Sequence, residues 1–161
     1  MMLVQHKSEA IGKISLFQGL DVAELDQIAR LCEERSFNVG EICQVEGQSM
    51  NRVNMILRGR VGAVVRIPNV TYLSSEIILD TLLEGDVFGW SCLIQDRPWS
   101  TLRVIDPTEV LSVDGIALLN LFEVNPRIGY VVMRHLAGLI ASRLRRNRMS
   151  MLNAIVAIRG T

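Results

Sequence analysis

The sequence predicts a single α+β domain, mainly β, in which an antiparallel sandwich or barrel lies between an N-terminal helical segment and a long C-terminal helix. Three observations support this fold class. Near the N-terminus, apolar residues recur at helical spacing behind a capping motif. Short apolar runs separated by turn residues then fill residues 36–113, a pattern typical of antiparallel sheets. After Pro126 no further proline occurs, so a long helix can continue almost to the C-terminus.

The composition is that of one globular domain without a global electrostatic preference. The chain has 161 residues, of which 49% are hydrophobic, and its formal net charge is zero. These values exclude a disordered chain and give no general case for nucleic-acid binding. Residues 1–13 lack the apolar core of a signal peptide, and no apolar run approaches the roughly 18 residues of a membrane span. We therefore expect one domain, residues 1–161, in the cytoplasm and without a membrane span.

Histidine and cysteine positions give no case for catalysis or for a metal. Cys32, Cys43 and Cys92 are odd in number and form no CxxC pair, which argues against a disulfide framework and a zinc site. His6 and His135 have no partner at metal-binding or nucleophile-relay spacing, and we expect His135 at the surface or in a dimer seam. No Ser-His-Asp order, P-loop or carboxylate pair stands out. The sequence predicts no metal, no catalytic residue and no enzyme activity.

The N-terminal segment, residues 1–35, is predicted to be helical. Residues 4–18 suggest a short helix that ends near Gly19. Asp21 is then a predicted N-cap, and Glu24 three residues later completes a capping box. The apolar residues that follow lie at spacings of three and four and extend the predicted helix face to Cys32: Val22, Leu25, Ile28, Ala29 and Cys32.

Residues 36–113 are predicted to form the antiparallel strands. The breaks between the early strands are expected at Gly40, Glu46-Gly47 and Arg58-Gly59. The segment from Val61 to Ile67 continues the sheet, Pro68-Asn69 is a predicted turn, and the segment from Tyr72 to Leu83 is another long strand. Two last strands are expected at Leu102–Ile105 and Glu109–Val113, with Asp106-Pro107 as the turn between them.

The C-terminal segment, residues 114–161, is predicted to hold a short and a long helix. Asp114 caps the short helix, and Pro126 suits the first position of the long one. A helix from Pro126 to about Ile158 would be roughly 45 Å long, which exceeds what a small barrel covers. One side of it carries Val132, Leu136, Leu139, Ile140, Arg143, Leu144, Met151 and Ile155. This length favours a homodimer through the long helix, and the alternative is a helix packed wholly on its own barrel.

The chain's most distinctive stretch runs from Gly85 to Leu93 and is followed by Pro98-Trp99-Ser100-Thr101. Two glycines, Gly85 and Gly89, bracket a short acidic and apolar turn. Glycine permits a positive φ and a close approach of the backbone to a ligand. Successive free N–H groups at the start of a helical turn can form an anion pocket. Taken alone, such a glycine pair is also compatible with an ordinary turn.

Several short motifs in their order resemble the cyclic nucleotide-binding domain, the effector domain of the catabolite activator and kinase regulatory subunit families. The motifs are Leu16-Phe17, Asn38-Val39-Gly40-Glu41, Glu46-Gly47, the segment from Met55 to Val61, and the segment from Glu84 to Gly89. The resemblance covers roughly Ile14 to Leu152. It implies a jelly-roll-like antiparallel β-roll whose bound effector shifts the trailing helices, and hence a regulatory, ligand-binding role.

In the family this resemblance points to, a phosphate-binding cassette holds the ligand, here residues 85–103. The resemblance implies that Gly89 and the following N–H groups face the phosphate, and Ser100 offers a hydroxyl. Trp90 stands where the family has a glutamate for the ribose 2′-hydroxyl, and Trp99 stands where it has the phosphate-binding arginine. The predicted ligand-binding residues are Phe88, Gly89, Trp90, Ser91, Cys92, Trp99, Ser100, Thr101 and Arg103.

These two departures weaken the case for an ordinary nucleotide. Losing the cation of a buried phosphate pair costs about 2–5 kcal/mol, so we expect affinity for cyclic AMP or cyclic GMP to be weak or lost. Arg97 or Arg103 could supply a replacement cation, and Arg103 is preferred because it shares a strand face with Thr101. The two tryptophans suit a different small anionic ligand or fill the pocket themselves. The second case makes the chain a pseudo-sensor, a protein-interaction and dimerisation module with an unknown protein partner.

Two other features have competing interpretations. The arginine run, which consists of Arg143, Arg145, Arg146 and Arg148, could contact nucleic acid or form a solvated helix end. The solvated interpretation is preferred, and DNA binding is not expected because no helix-turn-helix follows the long helix. Cys92 in the cassette turn could be a redox-sensing thiol if helix-start N–H groups lower its pKa, or simply a packed small residue.

Overall fold

In a computed structural model of the protein, residues 2–66 and 76–159 are described, with the backbone alone at residues 66, 76, 77, 151 and 154–159. Helices at both ends of the chain flank one antiparallel sheet. The elements are α1 (Val4–Gly12), a 3₁₀ turn (Ser15–Phe17), α2 (Val22–Leu31), β1 (Cys32–Phe37), β2 (Ile42–Gln44), β3 (Arg52–Arg66), β4 (Glu76–Leu82), β5 (Val87–Phe88), the cassette helix (a 3₁₀ helix, Trp90–Ile94), β6 (Thr101–Asp114), α3 (Gly115–Val124) and α4 (Pro126–Arg159).

The N-terminal helices begin where the sequence predicts but end earlier. The capping box is present: Asp21 Oδ1 accepts from the Glu24 N–H at 2.9 Å, and Glu24 Oε2 accepts from the Asp21 N–H at 2.9 Å. The expected helix over residues 4–18 is divided into α1 and the 3₁₀ turn. The prediction that helix continues to residue 35 is wrong. Cys32 begins β1 instead, because the ladder with β6, starting at Cys32 opposite Val113, supplies its backbone partners.

The six strands form one sheet in the order β1-β6-β3-β4, with β2 paired to β6 and β5 paired to β3. Two predicted chain reversals are absent. β3 runs through Arg58-Gly59, and β6 runs through Asp106-Pro107, so the two expected last strands are a single strand. The breaker residues produce register shifts at this point rather than turns. Gly59 has φ +104°, and a Cβ there would lie 2.5 Å from the Pro107 carbonyl oxygen.

The predicted strand from Tyr72 to Leu83 is confirmed over β4, and the expected end of β3 at Ile67, the turn at Pro68-Asn69 and residues 72–75 lie outside the described residues. Buried side chains form two clusters. The larger joins the helices to the sheet through residues such as Ile11, Phe17, Met55, Leu111, Leu118 and Leu136. The smaller consists of Ile56, Val61, Ala63, Leu82, Phe88, Leu102 and Val110. The candidate site lies beside this smaller cluster.

The long C-terminal helix is confirmed. α4 has 34 residues and so extends about 50 Å at 1.5 Å per residue. α3 is capped as predicted, with Asp114 Oδ1 accepting from the Ala117 N–H at 3.0 Å. Ile128, Val132 and Leu136 of α4 are buried in the chain's own core, whereas Leu144 is 66% exposed. The first turns of α4 therefore pack into the core of the domain, and the later turns are more exposed. Among the described residues, no helix is both long and apolar enough to cross a membrane.

Candidate functional site

A cavity of about 190 Å³ lies between the smaller core cluster, the cassette and α4. Its lining includes Gln44, Ala63, Val65, Leu79, Asp80, Leu82, Phe88, Gly89, Trp90, Ser91, Arg97, Pro98, Trp99, Ser100, Leu102, Ile140, Arg143, Leu144 and Asn147. Six of the nine predicted ligand-binding residues are in this set: Phe88, Gly89, Trp90, Ser91, Trp99 and Ser100. Cassette residues thus meet the long helix across one enclosed space.

Gly89 fixes the backbone at the start of the cassette helix. Its φ is +77°, and an added Cβ would overlap the carbonyl oxygen of Arg52, so no other residue fits without a shift. The Gly89 N–H donates to Gln44 Oε1 at 3.2 Å, and Gln44 Nε2 donates to the Ser100 carbonyl at 2.9 Å. Gln44, which sequence reasoning missed, therefore ties the two ends of the cassette together. Its inward position on a short three-residue strand gave too little pattern to identify it.

Ser91 is a buried residue of the cavity lining. The residue is 5% exposed, and its Oγ finds no hydrogen-bond partner within the described parts of the chain. Buried polar atoms of folded proteins almost always have a partner, so an unpaired hydroxyl beside a cavity is a place where a ligand can bind. Phe88, which is fully buried, forms the inner wall next to it.

Trp90 and Trp99 form an aromatic pair in the lining of the cavity. Their rings meet edge to face, with centroids 5.8 Å apart and an interplanar angle of 86°. Trp90 is half-buried and packs against the larger core cluster. Trp99 is 60% exposed, and its Nε1–H donates to Asp96 Oδ2 at 3.2 Å. The pair offers a flat apolar wall.

The two arginines predicted as replacement cations lie in different places. Arg97 lines the cavity and donates to the Gly47 carbonyl at 3.3 Å. Arg103 is not in the cavity lining and donates to the Gly40 carbonyl at 3.5 Å. It lies between the buried Leu102 and Val104, so its side chain leaves the opposite face of β6. Thr101 shares that face, and its Oγ1 accepts from the Glu46 N–H at 3.1 Å.

Cys92 faces α3 rather than the cavity. Burial raises the pKa of its thiol to about 11, and its Sγ–H donates to the Gly89 carbonyl at 3.1 Å. The possible redox-sensing thiol with a lowered pKa is therefore not supported, because desolvation outweighs the N–H groups of the cassette helix. The packed small residue, which the sequence favours, agrees with the close approach of Sγ to Gly115.

Arg143 is the charged residue of the cavity that sequence reasoning assigned elsewhere. It projects from α4, is half-buried, and donates through Nη2 to the Val87 carbonyl at 3.0 Å. Burial lowers the pKa of the Arg143 guanidinium, and the carboxylates of Asp86 and Asp80 oppose that effect. The signal in the sequence was its position inside the apolar side of the helix, next to Leu144. The rest of the arginine run, Arg145, Arg146 and Arg148, is exposed.

Other candidate groups take no part in the site. His135 is half-buried, and its Nδ1 lies 3.2 Å from the Leu16 carbonyl oxygen, so it faces its own chain rather than a dimer seam. His6 is exposed on α1. Among the described residues, no group of three or more His, Cys, Asp or Glu side chains is arranged to hold a metal ion.

Several known proteins are similar to this chain in sequence. A family model described as the cyclic nucleotide-binding domain matches residues 34–125. Among curated proteins, the CRP-like cAMP-activated global transcriptional regulator of Mycobacterium tuberculosis is 24% identical over 148 residues, which is 91% of this chain and 62% of the relative. The chain thus spans less than two thirds of that relative's length.

Solved structures share the fold, and they confirm the expected α+β architecture with its antiparallel β-roll. A cyclic nucleotide-binding domain from Methylobacillus flagellatus matches with a TM-score of 0.77 and 21% identity, covering 94% of this chain and 83% of that one. A putative cyclic nucleotide-binding protein from Geobacter metallireducens matches with a TM-score of 0.71 and 26% identity, covering 89% of this chain and 99% of that one. The catabolite activator protein of Thermus thermophilus matches with a TM-score of 0.69 and 24% identity, covering 88% of this chain and 63% of that one.

Proposed function

Because the chain belongs to the cyclic nucleotide-binding domain family, we propose that it is a cytoplasmic regulatory domain that senses a small anionic effector in the cavity and passes the signal to α3 and α4. The observation that carries this proposal is the position of the cavity. The cassette supplies one wall through Trp90 and Ser91, and α4 supplies another through Ile140 and Arg143. A ligand there touches both parts, so it can favour one arrangement of α4 over another.

A packed route also joins the cassette to the helices. A Cβ added to Gly115 would lie 2.6 Å from Cys92 Sγ, so the cassette helix and the start of α3 are in tight contact. A Cβ added to Gly129 of α4 would lie 2.8 Å from the Cβ of Phe122 in α3. Closely packed elements move together rather than deforming, and movement of the cassette helix should therefore displace α3 and α4.

The effector is expected to be small and to differ from an ordinary cyclic nucleotide. The cavity of about 190 Å³ is below the roughly 300–1,000 Å³ of typical ligand pockets. Trp90 and Trp99 replace the carboxylate and the cation that the family resemblance implies for ribose and phosphate. Although a relative of this chain is a cAMP-activated regulator, we infer weak or absent affinity for cyclic AMP and cyclic GMP here.

A sensor is favoured over a self-filled pseudo-sensor by the placement of Trp99. A plugging side chain would be buried, whereas Trp99 is 60% exposed and an enclosed space remains beside it. The proposed homodimer has a candidate surface on α4, where Tyr130 and Leu144 are exposed on the side opposite the buried residues. A protein partner would be regulated through these helices.

The first experiment titrates the chain with cyclic AMP, cyclic GMP, phenyl phosphate and phenylacetate while following tryptophan fluorescence. Both tryptophans of the chain line the cavity, so a bound ligand should change the signal. We expect a saturable response to at least one small aromatic anion and a weak or absent response to the nucleotides. If every compound leaves the spectrum unchanged up to millimolar concentration, the sensor proposal is wrong and the pseudo-sensor is supported.

A second arm tests the assignment of the cassette by calorimetry. The double substitution Trp90→Glu and Trp99→Arg restores the groups that the family resemblance implies. We expect it to raise cyclic AMP affinity by about 30-fold or more, the inverse of losing one partner of a buried charge pair. Trp99→Phe is the control that alters the ring without adding a cation. An unchanged affinity in the double variant would show that the cassette is aligned incorrectly.

A further inference from the structure

We propose that Arg143 of α4 and the hydroxyl of Ser91 together hold the anionic group of the effector, so that its cation comes from the long helix rather than from the cassette. This inference rests on the proposed sensor function and names the chemistry of that site. The effector class is a phosphate or carboxylate on a small flat apolar body. The two side chains reach the same cavity from elements far apart in sequence.

Arg143 has the donors for this role. A guanidinium carries five N–H donors in a planar fork that matches phosphate and carboxylate oxygens. Its one described hydrogen bond is from Nη2 to the Val87 carbonyl at 3.0 Å. Among the side chains that the structure describes, none of the ion pairs involves Arg143, and the nearby Asp86 and Asp80 carboxylates act on its charge from a longer distance. A half-buried cation whose hydrogen-bond partner is a neutral carbonyl keeps donors with which an anion can form a charge-assisted pair.

Ser91 provides an independent observation on the cassette side. Its Oγ is buried and lacks a partner among the described residues, although the residue lines the cavity. Val87, whose carbonyl Arg143 contacts, lies four residues before Ser91 along the same cassette. The Arg143 guanidinium thus contacts the short segment that carries Ser91. In the proposed complex, the anion accepts from both side chains.

The two nearby acids, whose charges also act on Arg143, each have a closer partner. The Asp80 carboxylate, which also lines the cavity, lies 3.4 Å from Arg146 Nη2. Asp86 Oδ2 accepts from the Leu83 N–H at 2.8 Å. Apolar side chains near α4 complete the lining, with Leu79, Leu82 and Ile140 among them. The lining holds a second cation, Arg97, which donates to the Gly47 carbonyl at 3.3 Å on the cassette side. An anion with a flat apolar body matches this combination of arginines, an unpaired serine and apolar side chains.

The test compares the full chain with Arg143→Met, Arg143→Lys, Ser91→Ala and the exposed control Arg145→Met. Probes are phenyl phosphate, phenylacetate and the uncharged benzyl alcohol, followed by tryptophan fluorescence, with circular dichroism melting to verify folding. We expect Arg143→Met to lower the affinity for the anions by about 30-fold or more and to leave the affinity for benzyl alcohol unchanged. Ser91→Ala should lower the affinity for the anions by about 5-fold, and Arg145→Met should leave that affinity unchanged. Preference for one anion identifies phosphate or carboxylate as the recognised group.

Arg143→Lys keeps the proposal testable if Arg143→Met does not fold. Lysine retains the positive charge but lacks the planar fork of N–H donors, so the affinity for the anions should fall by about 10-fold. If the anions bind the wild type and the Arg143 variants equally, this inference is wrong while the sensor function stands. If no probe binds the wild type, the sensor function fails and the inference fails with it.

Discussion

At the scale of single residues, Cys32 illustrates how strongly the interior excludes charge. It starts β1 with 4% of its surface exposed, and burial raises the pKa of its thiol to about 12. The positive charges of Lys7 and Arg52 lower this pKa by a smaller amount. Burial likewise raises the pKa of the Cys43 thiol to about 12. The folded state therefore holds these thiols neutral at pH values where the unfolded chain would ionise them.

The pH dependence of stability follows from this shift. The pKa of Cys32 in the folded protein, about 12, exceeds the ordinary value of 9.0. The contribution of this thiol to the free energy of unfolding is therefore complete below pH 9 and is lost between pH 9 and pH 12. The free energy of unfolding should fall with rising pH, by up to about 1.4 kcal/mol per pH unit for each such thiol. Cys32→Ala should make this fall shallower in urea unfolding at a series of alkaline pH values.

Ile11→Val is the matched control, since Ile11 is fully buried and does not titrate. It should lower stability equally at every pH and leave the slope as in the wild type. A Cys32→Ala slope equal to that of the wild type would show that Cys32 ionises in the folded protein as easily as in the unfolded chain.

At the scale of secondary-structure elements, the cassette helix and α3 pack closely against each other near the site. Gly115 is the first residue of α3, and its N–H donates to the Asn51 carbonyl at 2.8 Å. An added Cβ would lie 2.6 Å from Cys92 Sγ and 3.3 Å from that carbonyl oxygen. Glycine is needed here for close packing between two elements, since its φ is not positive.

Gly115→Ala should therefore destabilise the protein by about 1–3 kcal/mol through overpacking. Adding Cys92→Ala removes Sγ and should recover a large part of the loss, so the two substitutions should be coupled in a double-mutant cycle. Gly138→Ala is the control, because an added Cβ there meets nothing within 4 Å and alanine favours a helix by about 1 kcal/mol. Urea unfolding measures all four variants. Additive effects at residues 92 and 115 would contradict direct packing.

The elements were predictable to the extent that their signals are local. The Asp21 and Asp114 caps and Pro126 marked three helix starts, and all three are confirmed. Gly59 and Pro107 were read as turn signals, but they lie side by side across β3 and β6 in one bulged ladder. Only the pairing of strands distant in sequence makes that arrangement possible, so local patterns could not reveal it.

The candidate site follows the same rule. The cassette residues lie in one continuous stretch, and six of the nine predicted ligand-binding residues line one cavity, while their role in binding stays a prediction. Gln44 and Arg143 come from β2 and α4, about 45 residues before and 54 after Gly89. A charged residue inside an apolar helix face marks a buried position, but it does not say what the residue faces.

At the scale of the whole molecule, α4 presents two faces to different environments. Ile128, Val132 and Leu136 are buried in the domain. Tyr130, Ala137 and Leu144 recur every seven residues on the opposite side and are exposed. The domain thus covers one face of its longest helix, and a second copy of α4 would cover the other while bringing two cavities to one seam.

The homodimer is tested by Leu144→Glu. Leu144 is 66% exposed near the centre of α4 and also borders the cavity. A charge there is solvated in the monomer but would be buried unpaired in a helix pair. Sedimentation at tens of micromolar should give a dimer for the wild type and a monomer for this variant. Met149→Glu is the control, because Met149 is also exposed and lies about 140° around the helix from Leu144. A wild type that sediments as a monomer, or a dimer that Leu144→Glu leaves intact, would show that this face of α4 has another use.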